Sequence, residues 1–237
     1  MAIGPDRRFM TAAQADAAQI DAGLRQYMMR VYDYMAGGLV LTGLLAFAVA
    51  NVPSVYEVVM PLRWVIMLAT IGIALVFGFR FSTMRPSTAQ ALFWLYAGLM
   101  GLWLAPVFIV YTHASIARVF FVTAGTFAGM SLYGYTTKRD LSAMGSFLIM
   151  GVWGILLAFI VNIFLQSAAL DFALSVIGVL IFTGLTAFDT QRIKEWYSES
   201  DGAEVMAKKA IVGALNLYLD FINLFLFLLR FMGASRN

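Results

Sequence analysis

The sequence predicts an all-α membrane protein, a bundle of about seven transmembrane helices forming one membrane domain. Hydrophobic residues make up 62% of its 237 residues, charged residues make up only 12%, and the mean hydropathy is +0.83. A soluble domain usually carries roughly 25% charged residues, so water would not solvate this chain. Apolar runs of about 20 residues, the length that crosses ~30 Å of hydrocarbon, recur along it with short polar gaps.

The first 33 residues precede these runs and form a segment that we expect to be cytoplasmic. One helical face of this segment is apolar and carries Ile20, Leu24, Tyr27, Met28 and Val31, with charged residues around the rest. This pattern is typical of an amphipathic helix that lies in the membrane interface. The chain thus divides into this N-terminal segment, residues 1–33, and a seven-helix transmembrane domain, residues 34–237.

Seven apolar runs are assigned to membrane spans. They are Tyr34–Val52, Met60–Arg80, Thr88–Tyr111, Ser115–Tyr135, Gly145–Gln166, Leu170–Asp189 and Lys208–Phe231. Polar or turn-forming stretches separate several of these runs, for example Arg85–Pro86 and Ser198–Gly202.

Lysine and arginine decide the predicted orientation, because cytoplasmic segments of membrane proteins are enriched in them. With the N-terminus inside, the inner segments hold Arg7, Arg8, Arg25, Arg30, Arg80, Arg85, Lys138, Arg139, Arg192, Lys194, Lys208 and Lys209. The outer segments hold Arg63, Arg118, Arg230 and Arg236. We therefore expect a cytoplasmic N-terminus and an outer C-terminus. In this interpretation the basic residues fix the orientation of the chain in the membrane. We therefore do not expect nucleic acid as a partner.

Two aspartates in the last two spans are the most informative residues. Asp189 lies near the inner end of the sixth span, and Asp220 lies deeper, inside the seventh. An ionised carboxylate in a bilayer is costly, so such a group normally faces the bundle interior and has a partner. If the two spans pack side by side, two carboxylates in contact cannot readily both ionise, and the pair would share one proton. The pair is therefore a candidate pH sensor and gate.

Polar residues follow one face of the last helix, where Asn216, Asp220 and Asn223 have i, i+4, i+7 spacing. This stripe crosses an otherwise apolar segment, so it must face protein or water. It could line a pore, or it could form a hydrogen-bonded seam between helices. Arg80 ends the second span on the inner side and could compete with Asp220 for Asp189. It could equally extend to the lipid headgroups.

The chain has no cysteine and a single histidine, His113, in a predicted outer turn. A thiolate or multi-histidine metal site is therefore excluded, and the position of His113 in a short outer turn argues against a Ser-His-Asp triad. Intramembrane aspartyl proteases also carry two aspartates on neighbouring spans, but Asp220 follows Tyr218-Leu219 where those enzymes have Gly-x-Gly. We expect no enzymatic activity, no catalytic residue and no bound cofactor.

Four stretches of the sequence combine polar and turn residues at characteristic spacings. They are Leu104–Pro106 with Tyr111, Tyr133–Leu141, Phe188–Gln191 and Leu217–Phe225. In these stretches the chain resembles the Bax inhibitor family of membrane proteins, also called the transmembrane Bax inhibitor motif family, in its bacterial branch. The last stretch is the most specific, because polar positions at such spacings within an apolar helix are hard to meet by chance. The resemblance extends from the first span to the end of the chain.

The resemblance implies a seven-helix fold whose last helix is central and surrounded by the other six. It also implies a pH-sensitive calcium leak, with paired aspartates at Asp189 and Asp220 and an alternative arginine partner at Arg80. Phe188 replaces a tyrosine that is common before the family's aspartate. A bacterial member modulates a membrane-bound protease, so a protease complex is a candidate partner. The expected location is the bacterial inner (plasma) membrane.

Our leading hypothesis is a leak in which calcium is the transported ion and protons at Asp189 and Asp220 shift a closed–open equilibrium. Calcium takes about six to eight oxygen ligands, so the two carboxylates with Asn216 or Asn223 would form only a weak transit site. The alternative is a non-conducting membrane regulator that binds another membrane protein, such as a membrane-bound protease. The lipid bilayer, calcium ions and protons are the other expected partners.

Overall fold

The computed structural model describes residues 12–236, and these fold into an all-α bundle. The α-helices are α1 (Ala12–Asn51), α2 (Pro53–Val59), α3 (Arg63–Arg80), α4 (Pro86–Val110), α5 (His113–Thr136), α6 (Ser142–Leu165), α7 (Ala168–Glu195) and α8 (Ala203–Met232). All of them except α2 are long and apolar enough to cross a membrane. The prediction of an all-α membrane bundle with seven spans is confirmed, and the chain is a multi-pass membrane protein.

Proline and hydroxyl side chains set several of the helix boundaries. Pro53 and Pro86 occupy the first turns of α2 and α4, where a missing backbone N–H costs nothing. Thr112 and Ser167 accept hydrogen bonds from backbone N–H groups in the first turns of α5 and α7. The short helix α2 was not predicted, because seven residues between two turns carry too weak a pattern.

α1 is one continuous helix, so the predicted amphipathic segment and the first predicted span belong to the same element. Tyr27, Met28 and Val31 of the predicted apolar face are buried in the bundle, whereas Ile20 is exposed. Residues 1–11 of the predicted N-terminal segment lie outside the described residues. A position of this segment in the membrane interface stays a prediction.

α8 lies at the centre of the bundle. In its most apolar 18-residue stretch 72% of the residues are buried, against 33% or less in the other six spans. The main neighbours of α8 are α1, α4, α5 and α7, whereas α3 packs chiefly on α4 and α6 chiefly on α7. The last helix is therefore central, as the resemblance implies, but four helices provide its main contacts where six were expected.

The two ends of the bundle are named here by the predicted orientation. The inner end carries the turns 81–85, 137–141 and 196–202, and the outer end carries the other turns and residues 233–236. At the outer end the C-terminal residues hold the α4–α5 turn, because the backbone N–H of Thr112 donates to Ala234 O. Arg230 also forms an ion pair with Asp171 there.

Candidate functional site

α7 and α8 bring the two predicted aspartates together. The carboxyl side chains of Asp189 and Asp220 lie close enough to interact with each other. Asp220 is only 4% exposed, Asp189 is half-buried, and the Oδ2 atom of Asp220 has no hydrogen-bond partner among the described residues. Two ionised carboxylates have no proton to donate, so a hydrogen bond between them requires one bound proton.

Close helix packing makes this approach possible. Gly213 of α8 faces Ile193 of α7, and a Cβ atom at Gly213 would lie 2.9 Å from the Ile193 Cγ2 atom. Nearer the outer end, Gly178 of α7 lies against the ring of Phe227 on α8. Glycine lets the two backbones approach where lipid offers little drive for helix association. Glycine packing on either side of the two carboxyl groups thus holds α7 and α8 close together.

Arg192 is the cation that acts electrostatically on the Asp189 carboxyl. It follows Asp189 at i+3 spacing on α7, is exposed, and lies over the ring of Trp196 at 5.4 Å. Arg80 is exposed at the inner end of α3 and forms no ion pair with a carboxylate of residues 12–236. The structure therefore does not bring Arg80 to the pair, and its exchange with Asp220 stays a prediction. Sequence reasoning did not single out Arg192, although its i, i+3 spacing from Asp189 is visible in the sequence.

The predicted polar stripe on α8 divides into two environments. Asp220 is turned towards α7, whereas Asn216 and Asn223 are half-buried along the most open side of α8. The side-chain amide of Asn223 donates to Leu219 O in its own helix at 2.8 Å. This bond does not join two helices, so it gives no support to a hydrogen-bonded seam at Asn223.

Three hydroxyl groups join α1, α5 and α7 beside the aspartate pair. Thr190, the residue after Asp189, donates to Thr186 O at 2.7 Å, and its oxygen lies 3.0 Å from the Ser131 hydroxyl. The Tyr32 hydroxyl lies 2.6 Å from Ser131 Oγ. Because each hydroxyl has one proton, Tyr32 donates to Ser131 and Ser131 donates to Thr190. Sequence reasoning missed this chain, since its members lie on three separate helices.

Gln191 connects two of the stretches that carry the family resemblance. Its side-chain oxygen accepts a hydrogen bond from the Leu141 backbone N–H, and its side-chain nitrogen donates to Arg139 O, both at 2.8 Å. One turn further on, Lys194 Nζ donates to Tyr135 O at 2.8 Å. The segment that contains Asp189 therefore also holds the α5–α6 turn at the inner end.

Residues 12–236 contain no group of three or more His, Asp or Glu side chains placed to bind a metal ion. The Asp189–Asp220 pair is thus short of the oxygen ligands of a tight calcium site. His113 lies at the rim of an apolar outer cavity of about 370 Å³, where its ring centroid is 5.9 Å from that of Phe47 and 6.4 Å from that of Phe108. These contacts are those of a packing residue.

Comparison with known proteins agrees with this architecture. Residues 24–237 match the family model described as "Inhibitor of apoptosis-promoting Bax1". The chain is 47% identical to the inner membrane protein YbhL of Escherichia coli K12 over 220 residues, covering 91% of this chain and 94% of that protein. It is 49% identical to protein RP147 of Rickettsia prowazekii, covering 92% and 93% of the two chains. A membrane protein of Streptococcus pyogenes, SpyM3_0260, is 32% identical over 92% of this chain and 96% of its own length. Together these matches show that the chain belongs to the Bax inhibitor family of membrane proteins.

Proposed function

We propose that this protein is a pH-sensitive calcium leak channel, gated by the Asp189–Asp220 pair through a shared proton. The observation that carries the proposal is the close approach of these two carboxyl groups, one of which is almost fully buried. Membership of the Bax inhibitor family supports the same function.

The gate works through the charge of the pair. With one proton the pair carries one negative charge and a hydrogen bond that ties α7 to α8. Loss of that proton leaves two negative charges in contact. For two unit charges ~4 Å apart in an effective dielectric constant of ~20, the repulsion is about 4 kcal/mol. Gain of a second proton removes the charge altogether. Either change alters the attraction between α7 and α8, so pH shifts the closed–open equilibrium.

Calcium is the cargo in this proposal. In an open conformation the Asp189 and Asp220 carboxylates, with the half-buried Asn216 and Asn223, supply oxygen atoms along α8. This set is weak compared with the about six to eight oxygens of a calcium storage site. Weak coordination suits transit, because a conducted ion must leave its site as readily as it enters.

Calcium flux into liposomes containing the purified protein tests the gate. Flux is measured with an enclosed indicator across a series of pH values for the wild type, Asp189→Asn and Asp220→Asn. We expect wild-type flux to depend on pH and both variants to lose that dependence. The control is Asp140→Asn in the exposed inner turn, where Ser142 donates hydrogen bonds that lower the pKa of the Asp140 carboxyl. This control removes the same charge from the same end and should keep the wild-type profile.

Two results would contradict the proposal. A pH dependence that survives in both aspartate variants would remove the pair from the gate. Wild-type protein that passes no calcium at any pH, but co-purifies with a membrane-bound protease complex, would support the non-conducting regulator instead.

A further inference from the structure

A cavity of about 510 Å³ lies between α1 and α5 at the inner end of the bundle. Both helices pack on α8 but scarcely on each other, which leaves this space between them. The lining residues come from these two helices alone and are Arg25, Met28, Met29, Tyr32, Phe127, Ala128, Ser131, Leu132 and Tyr135. Its volume is within the range of sites that bind small molecules, ~300–1,000 Å³.

The cavity opens sideways, out of the bundle. Met29 and Leu132 on its two walls are 55% and 63% exposed, and both belong to membrane spans, where the surrounding solvent is lipid. Towards α8 the cavity is bounded by Phe127, whose ring centroid lies 5.5 Å from that of Phe221. A molecule that fills the cavity therefore enters from the bilayer and stops at the packed core.

The position of the cavity along the helices corresponds to one leaflet of the bilayer. Arg25 lies ~39 Å from the outer end of α1 along the helix axis, which is beyond ~30 Å of hydrocarbon and at the level of the headgroups. Tyr135, near the inner end of α5, lies ~12 Å along that helix from Phe127. One leaflet provides ~15 Å of hydrocarbon. The cavity thus extends from the headgroups into the acyl chains of a single leaflet.

Groups that can bind a phosphate are found at the headgroup end of the cavity. Arg25 is exposed and forms no ion pair with a carboxylate of residues 12–236. The Tyr135 hydroxyl forms no hydrogen bond within the described part of the chain. Lys194 of α7 adds positive charge behind this wall, because its ammonium group lies 5.1 Å from the ring centroid of Tyr135. Guanidinium groups bind phosphate through two parallel hydrogen bonds, and basic pockets between membrane helices bind lipid headgroups.

An acidic residue follows Arg25 in the direction of water. Asp21 precedes Arg25 by one helical turn, ~6 Å, on the same face of α1, and it is exposed. The two side chains do not form an ion pair with each other. From the bilayer outwards, this face therefore presents a positive group and then a negative one. A zwitterionic phospholipid presents a phosphate and then an amine in the same order, with the opposite charges.

We propose that this cavity binds one phospholipid of the adjacent leaflet, a phosphatidylethanolamine whose phosphate contacts Arg25 and whose amine contacts Asp21. One acyl chain enters between α1 and α5 and lies against Phe127. The inference does not depend on the proposed leak, because it needs only the cavity and its charges. Ser131 in the cavity wall also belongs to the hydroxyl chain that joins α1, α5 and α7, so the bound lipid lies against that chain.

Native mass spectrometry of the full-length protein in detergent tests the phosphate contact. Dioleoyl phosphatidylethanolamine is titrated onto the protein, and the dissociation constant of the first bound lipid is measured. Arg25→Met should raise this constant by ~10-fold, because it removes one charge-assisted contact. The matched control is Arg30→Met, which removes the same charge from a different face of α1 and should leave the constant unchanged.

The choice of headgroup is tested with dioleoyl phosphatidylcholine and dioleoyl phosphatidylglycerol. The amine of phosphatidylethanolamine donates hydrogen bonds, whereas the quaternary amine of phosphatidylcholine has no N–H group and phosphatidylglycerol has no amine. We expect the wild type to bind phosphatidylethanolamine most tightly of the three lipids. Asp21→Asn should remove the difference between phosphatidylethanolamine and phosphatidylcholine.

Photo-crosslinking locates the bound lipid. A phosphatidylethanolamine with a diazirine in one acyl chain is irradiated with the protein, and the modified peptides are identified by mass spectrometry. We expect adducts within residues 28–32 and 127–135. Ala128→Phe fills the cavity and should abolish them. Gly129→Phe adds the same ring at the next position, which lines no described cavity and where a Cβ atom would meet nothing within 4 Å, and should keep them.

Four results would overturn the inference. Equal dissociation constants for Arg25→Met and Arg30→Met would remove the phosphate contact. Tighter binding of phosphatidylglycerol than of phosphatidylethanolamine would assign the site to an anionic lipid. Adducts that persist in Ala128→Phe, or that fall only on other helices, would place the lipid elsewhere. A variant without residues 2–11 that binds the lipid far more tightly would show that the N-terminal segment occupies the cavity.

Discussion

α6 and α8 are both long apolar helices, yet they occupy opposite environments. α6 contains no charged residue, and only 6% of its most apolar stretch is buried. α8 contains Asp220 and two asparagines in its interior, and 72% of its corresponding stretch is buried. In water the more apolar helix would be expected in the core, so the membrane reverses the usual relation between composition and burial.

The reason is that lipid solvates apolar side chains as well as protein does. Phe164 of α6 is 82% exposed at no cost in a bilayer, whereas the Asp220 carboxyl would be costly against lipid. Burial therefore follows the polar groups and the small residues that let helices approach. We expect substitutions at such buried contacts to have large effects, and substitutions on the lipid-facing side of α6 to have small ones.

Gly134→Ala should show the largest effect. A Cβ atom at Gly134 on α5 would collide with the backbone carbonyl of Ala187 on α7, two residues before Asp189. Because neither backbone can move without its helix, the substitution should lower the free energy of unfolding by ~3 kcal/mol. Thermal unfolding in detergent, followed by circular dichroism, measures the loss. The matched control is Gly154→Ala on α6, where a Cβ atom would meet nothing within 4 Å. Equal destabilisation by Gly134→Ala and Gly154→Ala would contradict the expected difference between buried helix contacts and the lipid-facing side of α6.

Tyr32→Phe should have an intermediate effect, because it removes one hydroxyl from the chain that joins α1, α5 and α7. Loss of the hydrogen bond to Ser131 should cost ~1 kcal/mol of unfolding free energy. Combining it with Thr190→Val should cost less than the sum of the two single changes, since both residues bond to Ser131. The control is Tyr133→Phe, whose side chain is exposed. Strict additivity in the double variant would show that the three hydroxyls do not act as one chain.

Phe164→Ala on α6 should have the smallest effect, within ~0.5 kcal/mol, because its ring has few protein neighbours to lose. The same unfolding measurement in detergent, repeated in native membranes, checks this value. A loss of stability seen only in native membranes would mean that another protein covers α6. That result would favour the non-conducting regulator.

Two central residues of the candidate site could be predicted from the sequence. Asp189 and Asp220 stand out because charged residues are rare in membrane spans, and their meeting follows from two consecutive spans joined by a short turn. The partners of the pair were harder to predict. Tyr32, Ser131 and Thr190 are unremarkable in their own helices, and only the arrangement of α1, α5 and α7 in the bundle makes them a chain. Gln191 likewise gains its role from a turn about 50 residues earlier.

By itself, the sequence determined that this protein has seven apolar spans and which two acids lie inside them. These properties depend on hydropathy and local spacing, which each segment carries alone. The tertiary structure decided that α8 is central, that α6 is peripheral, that Arg80 forms no ion pair with Asp189, and that Lys209 is held by Asp201. Lipid and protein interior are nearly equivalent solvents for apolar side chains, so hydropathy cannot tell them apart, and only contacts between distant segments can.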